Sequence, residues 1–443
     1  GVWVGRDSGT PHVDGLRLDV LAALKHARVP FLSWPGVPYS QDYAWRMGVG
    51  EVDARIAGVN CWSRQVDPNT FGTDAFLGLC GALDCVGMFT CNVGTGTVGS
   101  ARGWVEYCNF GGGSPLAMLR ERHGGGAPYG VRDWGVGAVP WGAGGRYNAA
   151  GYAAAYGRYA AAMKGMDGGI GLTASGADLL DPKLADWNHD FCAAMPHSDL
   201  LDHLGVRCDF CCGGGADFSD GAFGAMFARV REFEEALDRV AGLLDYFYPD
   251  KRVGLALAGW GARHPEASVD NGMEQARTLR DALLAGSVWN ALNRRAGRIS
   301  YAVLNQAVNG LHCLAVTAGR EMGVTPTYFA YDLMRRHGGN QLVAQEVSGA
   351  GLCVSASRSG KRLWVTVVNE SIDQDIAGVV EAREFEIASA SGRLLDGEDP
   401  RCENVVGGAA TVKVRRIALK TAGNEARLVF PRHSLTALSL TLG

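Results

Sequence analysis

Two short segments, VGAVPWG at residues 136–142 and LALAGWG at residues 255–261, share one layout: a run of small and apolar residues leads into a Trp-Gly pair. Such runs, bounded by turn residues, predict strands that end at loops. The chain contains seven of them before residue 305, and several are nearly continuous, as expected of strands buried on both faces of a parallel sheet. The predicted strands are 29–34, 87–93, 131–136, 170–174, 201–210, 253–257 and 299–304.

Long helical patterns separate these strands. In residues 221–248, apolar side chains such as Phe227, Val230 and Phe233 recur at three- and four-residue steps and form one stripe, and Pro249 ends the pattern. Residues 148–164 are rich in alanine and helical by propensity. Alternation of strands and helices predicts parallel β/α units, and therefore an α/β fold in this part of the chain.

The pattern changes to period two after Gly338 and Gly339. Residues 351–357 and 362–369 flank a Ser-Gly turn and predict a hairpin, and further strands are predicted at 376–387, 410–419, 426–430 and 434–442. We therefore predict two domains, an α/β barrel over residues 1–337 and an all-β sandwich over residues 338–443.

Composition limits the classes of partner. The 443 residues carry a formal charge of −4 and no polybasic block, which disfavours nucleic acids and anionic membrane surfaces. No apolar run reaches membrane-spanning length and the N-terminus has no signal-peptide pattern, so we expect a cytoplasmic protein. The 12 cysteines are scattered, and the cluster of Cys208, Cys211 and Cys212 near His203 lacks a second pair at ligand spacing. We therefore predict reduced thiols, no metal and no cofactor.

Five further motifs, together with the two opening segments, form one ordered pattern along the chain. They are WPG at 34–36, YAWR at 43–46, NVGTG at 92–96, WVEYCN at 104–109 and QAVN at 306–309. In this order and spacing the chain resembles the α-L-arabinofuranosidases of glycoside hydrolase family 51. The resemblance implies a (β/α)8 TIM barrel with a C-terminal sandwich, and an oligomeric assembly. The first of the eight strands would precede residue 1; the alternative is that a rearranged segment fills its place.

The resemblance also implies where the catalytic residues should lie. In the family the two segments read Gly-Asn-Glu-x-Trp-Gly and Asp-Glu-Trp-Gly, and their glutamates act as acid/base and nucleophile. Here Val139 takes the acid/base position and Gly259 the nucleophile position, while Ala138 replaces the asparagine that contacts the sugar 2-hydroxyl. Retaining hydrolysis requires two carboxyls about 5–5.5 Å apart. Since valine transfers no proton and glycine has no side chain, the sequence predicts a glycosidase scaffold without activity.

Other positions at the same end of the barrel depart from the family pattern. Ser33, Ala44 and Met47 replace an arginine, a histidine and an aspartate, and Arg207-Cys208-Asp209 replaces His-Arg-Tyr. The residues that remain as predicted substrate contacts, with Ala138, are Trp34, Tyr43, Trp45, Trp141, Arg207, Trp260 and Gln306. Trp141 and Trp260 fit a core position equally well. Gln306 is expected to be a buried amide that needs a partner, because it follows the last strand.

Three interpretations fit a furanosidase scaffold without its carboxylates. The first is a redesigned or degenerated site, with Asp209 as a base that abstracts a proton; an ion pair with Arg207 or a solvated carboxylate is the structural alternative for Asp209. The second is a non-catalytic relative that binds sugars. The third is an ordinary arabinofuranosidase with wrongly assigned residues. All three predict a carbohydrate or another small molecule as the ligand.

Overall fold

Seven parallel strands form one sheet in the computed structural model, which describes residues 1–195, 197–250 and 253–443. Strands adjacent in the sequence are hydrogen-bonded neighbours in the sheet. All seven predicted strands are confirmed, with shifts of a few residues at their ends. Their bounds are Phe31–Trp34, Val86–Cys91, Asp133–Val136, Gly171–Asp178, His203–Phe210, Gly254–Ala262 and Ile299–Leu304.

The sheet curls into a nearly closed barrel. Its two edge strands approach each other, and the rings of Phe31 and Tyr301 stack with centroids 5.0 Å apart. The N-terminal residues do not enter this sheet: they form the hairpin His12–Val13 with Leu16–Arg17, and the Gly1 amino group donates to Thr317 Oγ1 at 2.8 Å. The expectation that a rearranged segment fills the eighth place is therefore wrong for the described residues.

Nine α-helices pack around this sheet in the part of the chain that the structure describes. The longest has 28 residues; it begins after Ser219, whose hydroxyl accepts a hydrogen bond from the Ala222 N–H, and its apolar stripe is buried as predicted. The helices are α1 Leu18–Ala27, α2 Thr73–Leu83, α3 Val98–Asn109, α4 Pro115–Arg122, α5 Ala149–Met166, α6 Trp187–Ala194, α7 Asp220–Phe247, α8 Leu279–Arg294 and α9 Pro326–Met334.

The C-terminal strands form an all-β domain of two antiparallel sheets, which confirms the predicted fold class. One sheet contains Gln341–Leu342, Leu352–Ser359, Arg362–Asn369, Ser434–Leu442, Ile387–Asp396 and Lys413–Ile417, in that order, and the other Ile376–Glu381, Glu425–Phe430 and Lys420–Ala422. The single strand predicted at 376–387 is wrong: a turn at Arg383 and Glu384 ends it, and a second strand follows. The boundary at 337/338 stays a prediction.

Helix α8 connects the barrel to this domain through buried polar groups. The Asn290 side chain donates to the Cys353 carbonyl at 2.9 Å and accepts hydrogen bonds from Ser355 and Thr366, both at 2.7 Å. His337 contacts Thr366 Oγ1 at 2.9 Å. Because buried polar groups need partners, this network fixes the angle at which the two parts pack.

The barrel interior provides the first testable prediction. Tyr301 donates a hydrogen bond to Thr173 Oγ1 across the barrel at 2.7 Å. Tyr301→Phe should lower the free energy of unfolding by about 1 kcal/mol, because it removes this bond and leaves the ring in place. Urea denaturation measures the change. Tyr246→Phe is the matched control, since Tyr246 is 77% exposed and should show no change; equal effects of the two variants would contradict the prediction.

Candidate active site

The acid/base position lies in a tight loop after the strand Asp133–Val136. Val139 has a φ of 41°, a left-handed conformation that a β-branched residue rarely adopts. Its carbonyl accepts hydrogen bonds from the N–H groups of Gly142 and Gly144 at 3.0 and 3.1 Å, which hold the loop in this conformation. Val139 and Ala138 are both half-buried and contribute only apolar side chains. This loop therefore supplies no acid or base at the predicted position.

The nucleophile position lies in the strand Gly254–Ala262, beside the strand His203–Phe210. Gly259 pairs in register with Arg207, next to an irregularity at Ala258. A Cβ atom built on Gly259 would lie 2.4 Å from Arg207 Nη1 and 2.9 Å from Arg207 Cζ. The guanidinium of Arg207 thus occupies the space where a side chain at position 259 would begin. A cation therefore lies at the predicted nucleophile position.

Two carboxylates lie beside this guanidinium. Asp209 forms an ion pair with Arg263, with 3.6 Å between Oδ2 and Nη1. Asp178, which sequence reasoning missed, ends the strand Gly171–Asp178 and pairs in register with Arg207. Its carboxylate accepts a hydrogen bond from the Leu180 N–H at 3.1 Å. Burial, and then the like charge of Asp209, raise the pKa of Asp178.

Asp178 could have been found from its position. The predicted strand stopped at residue 174, whereas the observed strand continues through Ser175, Gly176 and Ala177 to Asp178. Carboxyl ends of barrel strands are where functional side chains gather. A predicted strand three or four residues longer would have placed Asp178 beside Asp209.

The predicted aromatic contacts fall into two groups. Trp45 and Trp260 are 2% and 0% exposed. Trp45 lies parallel to Trp104 at a centroid distance of 6.0 Å and donates to the Ser100 carbonyl, while Trp260 packs edge-on against Trp289 at 5.6 Å. The structure gives both rings packing partners in the core, which favours the core alternative for Trp260.

The second group keeps part of its surface accessible. Trp34 is half-buried and meets Tyr43 edge-on at 4.7 Å, with Tyr43 itself buried. Trp141 is half-buried and packs against Trp187 at 5.3 Å. Gln306 is exposed, so the expectation of a buried amide is wrong. Of the predicted aromatic contacts, Trp34 and Trp141 are the ones whose burial leaves room for a ligand.

One further polar residue behind the acid/base loop was not predicted. Gln41 is 1% exposed, and neither its amide nitrogen nor its oxygen has a hydrogen-bond partner among the described residues. Its Nε2 lies 3.8 Å from where a Cβ of Gly137 would be. Since a buried amide without partners is costly, Gln41 is a candidate for holding a water molecule behind this loop.

Neither a metal-binding cluster nor a membrane-spanning helix is found in the part of the chain that the structure describes. Among the described residues, no three His, Cys, Asp or Glu side chains are grouped so that they could hold a metal ion. Cys208 is buried and Cys211 is exposed. Within the same residues, no helix combines the length and the apolar character needed to cross a membrane.

A parallel α/β barrel gathers its functional side chains at the carboxyl ends of the strands, which is the arrangement of an enzyme active site in this fold. Comparison with known sequences makes this specific. Residues 23–203 match the family model described as α-L-arabinofuranosidase 1 domain, and residues 259–434 match that of the α-L-arabinofuranosidase C-terminal domain. The chain belongs to the α-L-arabinofuranosidases of glycoside hydrolase family 51.

Individual relatives agree with this assignment. The chain is 32% identical to the intracellular exo-α-L-arabinofuranosidase of Bacteroides ovatus over 76% of its own length and 66% of that protein. It is 28% identical to the intracellular exo-α-(1→5)-L-arabinofuranosidase 1 of Bacillus subtilis over 72% of its own length and 65% of the relative. The matches thus span just under two thirds of these two relatives.

Solved structures support the same fold over the whole chain. The family 51 arabinofuranosidase from Xanthomonas axonopodis pv. citri superposes with a TM-score of 0.93 at 25% identity, covering 100% of this chain and 93% of the other. The α-L-arabinofuranosidase from Thermotoga maritima, in complex with arabinose, superposes with a TM-score of 0.89 at 27% identity and the same coverage.

Proposed function

We propose that this protein is a carbohydrate-binding member of the arabinofuranosidase family that does not hydrolyse glycosides by the retaining mechanism. The observation that carries the proposal is the Arg207 guanidinium over the α-carbon of Gly259. A nucleophile must be an electron-rich group that faces the anomeric carbon. A guanidinium is always protonated and has only N–H donors, so it cannot form the glycosyl-enzyme bond.

The acid/base half of the mechanism is missing for an independent reason. Val139 can neither protonate a leaving group nor activate water, and the adjacent Ala138 offers no hydrogen bond to a sugar hydroxyl. Loss of a general acid alone lowers rates by about 10²–10⁴-fold, and loss of the nucleophile removes the covalent route. The two substitutions together leave a scaffold with the shape of a glycosidase and none of its proton transfers.

Asp209 is a weaker candidate for a replacement base than the sequence indicated. Its ion pair with Arg263 favours a structural role, because it already gives this carboxylate a counter-charge within the chain. We therefore do not extend the proposal to proton abstraction by Asp209.

The proposed substrate class and location follow the names of the relatives. The Bacillus subtilis protein is named for α-(1→5)-linked arabinofuranosides and the Thermotoga maritima structure contains arabinose, so we propose arabinose-containing glycans as ligands, contacted by Trp34 and Trp141. Two relatives are named intracellular, which favours the expected cytoplasmic location. A homo-oligomer stays a prediction.

The purified protein should give no measurable turnover of 4-nitrophenyl α-L-arabinofuranoside. Release of nitrophenolate measures the rate, and quenching of tryptophan fluorescence by arabinose or an arabino-oligosaccharide measures binding. Mass spectrometry of peptides that span residues 139 and 259 is the essential control, because the prediction applies only to protein that carries valine at position 139 and glycine at position 259. Turnover by protein with a verified sequence would overturn the proposal.

A further inference from the structure

Among the buried arginines that the structure describes, one has no hydrogen-bond or ion-pair partner. Five are at most 9% exposed, namely Arg17, Arg120, Arg207, Arg277 and Arg280. Four of them donate hydrogen bonds to carboxylate or carbonyl oxygens. For Arg207, the structure records no side-chain hydrogen bond and no ion pair with any described residue. A buried cation without a partner is unfavourable, which indicates that its partner comes from outside the chain.

The carboxylates nearby do not neutralise Arg207. Asp209 is paired with Arg263. Asp178 accepts a hydrogen bond from the Leu180 backbone N–H, and it attracts Arg207 at longer range without forming an ion pair. The three atoms nearest to a Cβ built on Gly259 all belong to the Arg207 guanidinium, so this cation lies directly over Gly259.

We propose that Arg207 binds the carboxylate of an aldonic acid, a sugar oxidised at its anomeric carbon. In the family the side chain at this position faces the anomeric carbon of the bound sugar, so a ligand in the same orientation presents carbon 1 to Arg207. An aldonate carries its carboxylate at carbon 1. A guanidinium binds such a group through two parallel hydrogen bonds. The inference rests on the proposed function, since it assumes a sugar-binding site without a nucleophile.

Calorimetric titration of the full chain with L-arabinonate, L-arabinose, acetate and sulfate tests the proposal at low ionic strength. We expect L-arabinonate to bind at least tenfold more tightly than L-arabinose or either simple anion. Arg207→Gln should lower the affinity for L-arabinonate at least tenfold and should lower that for L-arabinose by a much smaller factor, so that the preference for L-arabinonate is lost. Arg146→Gln is the matched control: it removes an exposed arginine from the loop after the strand Asp133–Val136, at the same end of the barrel, and should alter neither affinity by more than about twofold.

A second variant guards against a folding defect in Arg207→Gln. Gly259→Glu keeps the arginine and supplies an internal carboxylate that pairs with it, so it should also abolish the preference for L-arabinonate. Equal affinities for L-arabinonate and L-arabinose in the unmodified protein would overturn the inference and leave the proposed sugar-binding function standing. Equal affinities for acetate, sulfate and L-arabinonate would overturn it as well, because the site would then bind any small anion. Failure of the proposed function would instead appear as turnover of the aryl arabinofuranoside.

Discussion

Asp281→Asn is expected to lower the free energy of unfolding by about 3–5 kcal/mol, the usual cost of breaking a buried ion pair. Asp281 is fully buried; its Oδ1 lies 3.0 Å from His264 Nε2 and 3.8 Å from Arg280 Nε, and its Oδ2 accepts the Thr278 N–H at the start of α8. Asparagine keeps part of the hydrogen bonding but leaves the buried Arg280 without its counter-charge. Urea denaturation followed by tryptophan fluorescence measures the change.

An exposed pair of the same kind provides the control. His189 and Asp190 are also 3.0 Å apart, but their side chains are 59% and 60% exposed. Asp190→Asn should change stability by less than about 0.5 kcal/mol, because water solvates both groups. If Asp281→Asn and Asp190→Asn lowered the free energy of unfolding by equally small amounts, the buried pair would not be a main determinant of stability.

The effect of Asp281→Asn should also depend on pH. Burial opposes ionisation of Asp281, but the neighbouring His264 and Arg280 outweigh it, and the pKa of this carboxyl is lowered in the folded protein. Its contribution is fully present above the pKa of the unfolded chain, about 4, and is lost as the pH falls through the lower folded value. The stability difference between the two proteins should therefore shrink below about pH 4.

Most of the fold could be predicted because its signals are local. A buried parallel strand is an apolar run and a surface helix is an apolar stripe, so the seven strands and helix α7 follow from the sequence alone. The additional strand Ile387–Asp396 was missed because its outward-facing serines and alanines give no clear alternation. In these regions the sequence predicted the type of element correctly, but it gave wrong ends for some strands and did not separate the strand Ile387–Asp396 from the one before it.

The contacts around the candidate site could not be predicted from the sequence. The resemblance proposed Val139 and Gly259 as the catalytic positions, which stays a prediction, and the placement of Arg207 depends on the register between two strands and on the irregularity at Ala258, which only the assembled barrel fixes. In the same way, Trp260 shares the Trp-Gly pattern of Trp141 but is covered by Trp289, which lies on helix α8. A short motif does not show whether a residue distant in the sequence will cover its side chain in the folded protein.

Restoring both glutamates is expected not to restore the enzyme while Arg207 is present. In the variant Val139→Glu with Gly259→Glu, the carboxylate introduced at position 259 starts from a Cβ only 2.4 Å from Arg207 Nη1, so the two groups must form an ion pair. A carboxylate whose lone pairs accept from a guanidinium is held away from the anomeric carbon and is a weaker nucleophile. Ser33, Ala44 and Ala138 also remove polar contacts that the family provides. We expect no measurable hydrolysis of 4-nitrophenyl α-L-arabinofuranoside by this double variant.

Adding Arg207→His, the residue that the family carries at this position, should release the carboxylate. The kcat/KM of the triple variant should lie at least tenfold above the detection limit of the assay, and therefore above the double variant, which corresponds to at least about 1.4 kcal/mol of transition-state stabilisation. The control is the triple variant with Gly259→Gln in place of Gly259→Glu. Glutamine has nearly the same shape as glutamate but no charge, so this control should be inactive. Its inactivity would show that the activity gained depends on the carboxylate. Equal rates for the double and triple variants would mean that Arg207 does not suppress the nucleophile, and that the missing sugar contacts limit the reaction instead.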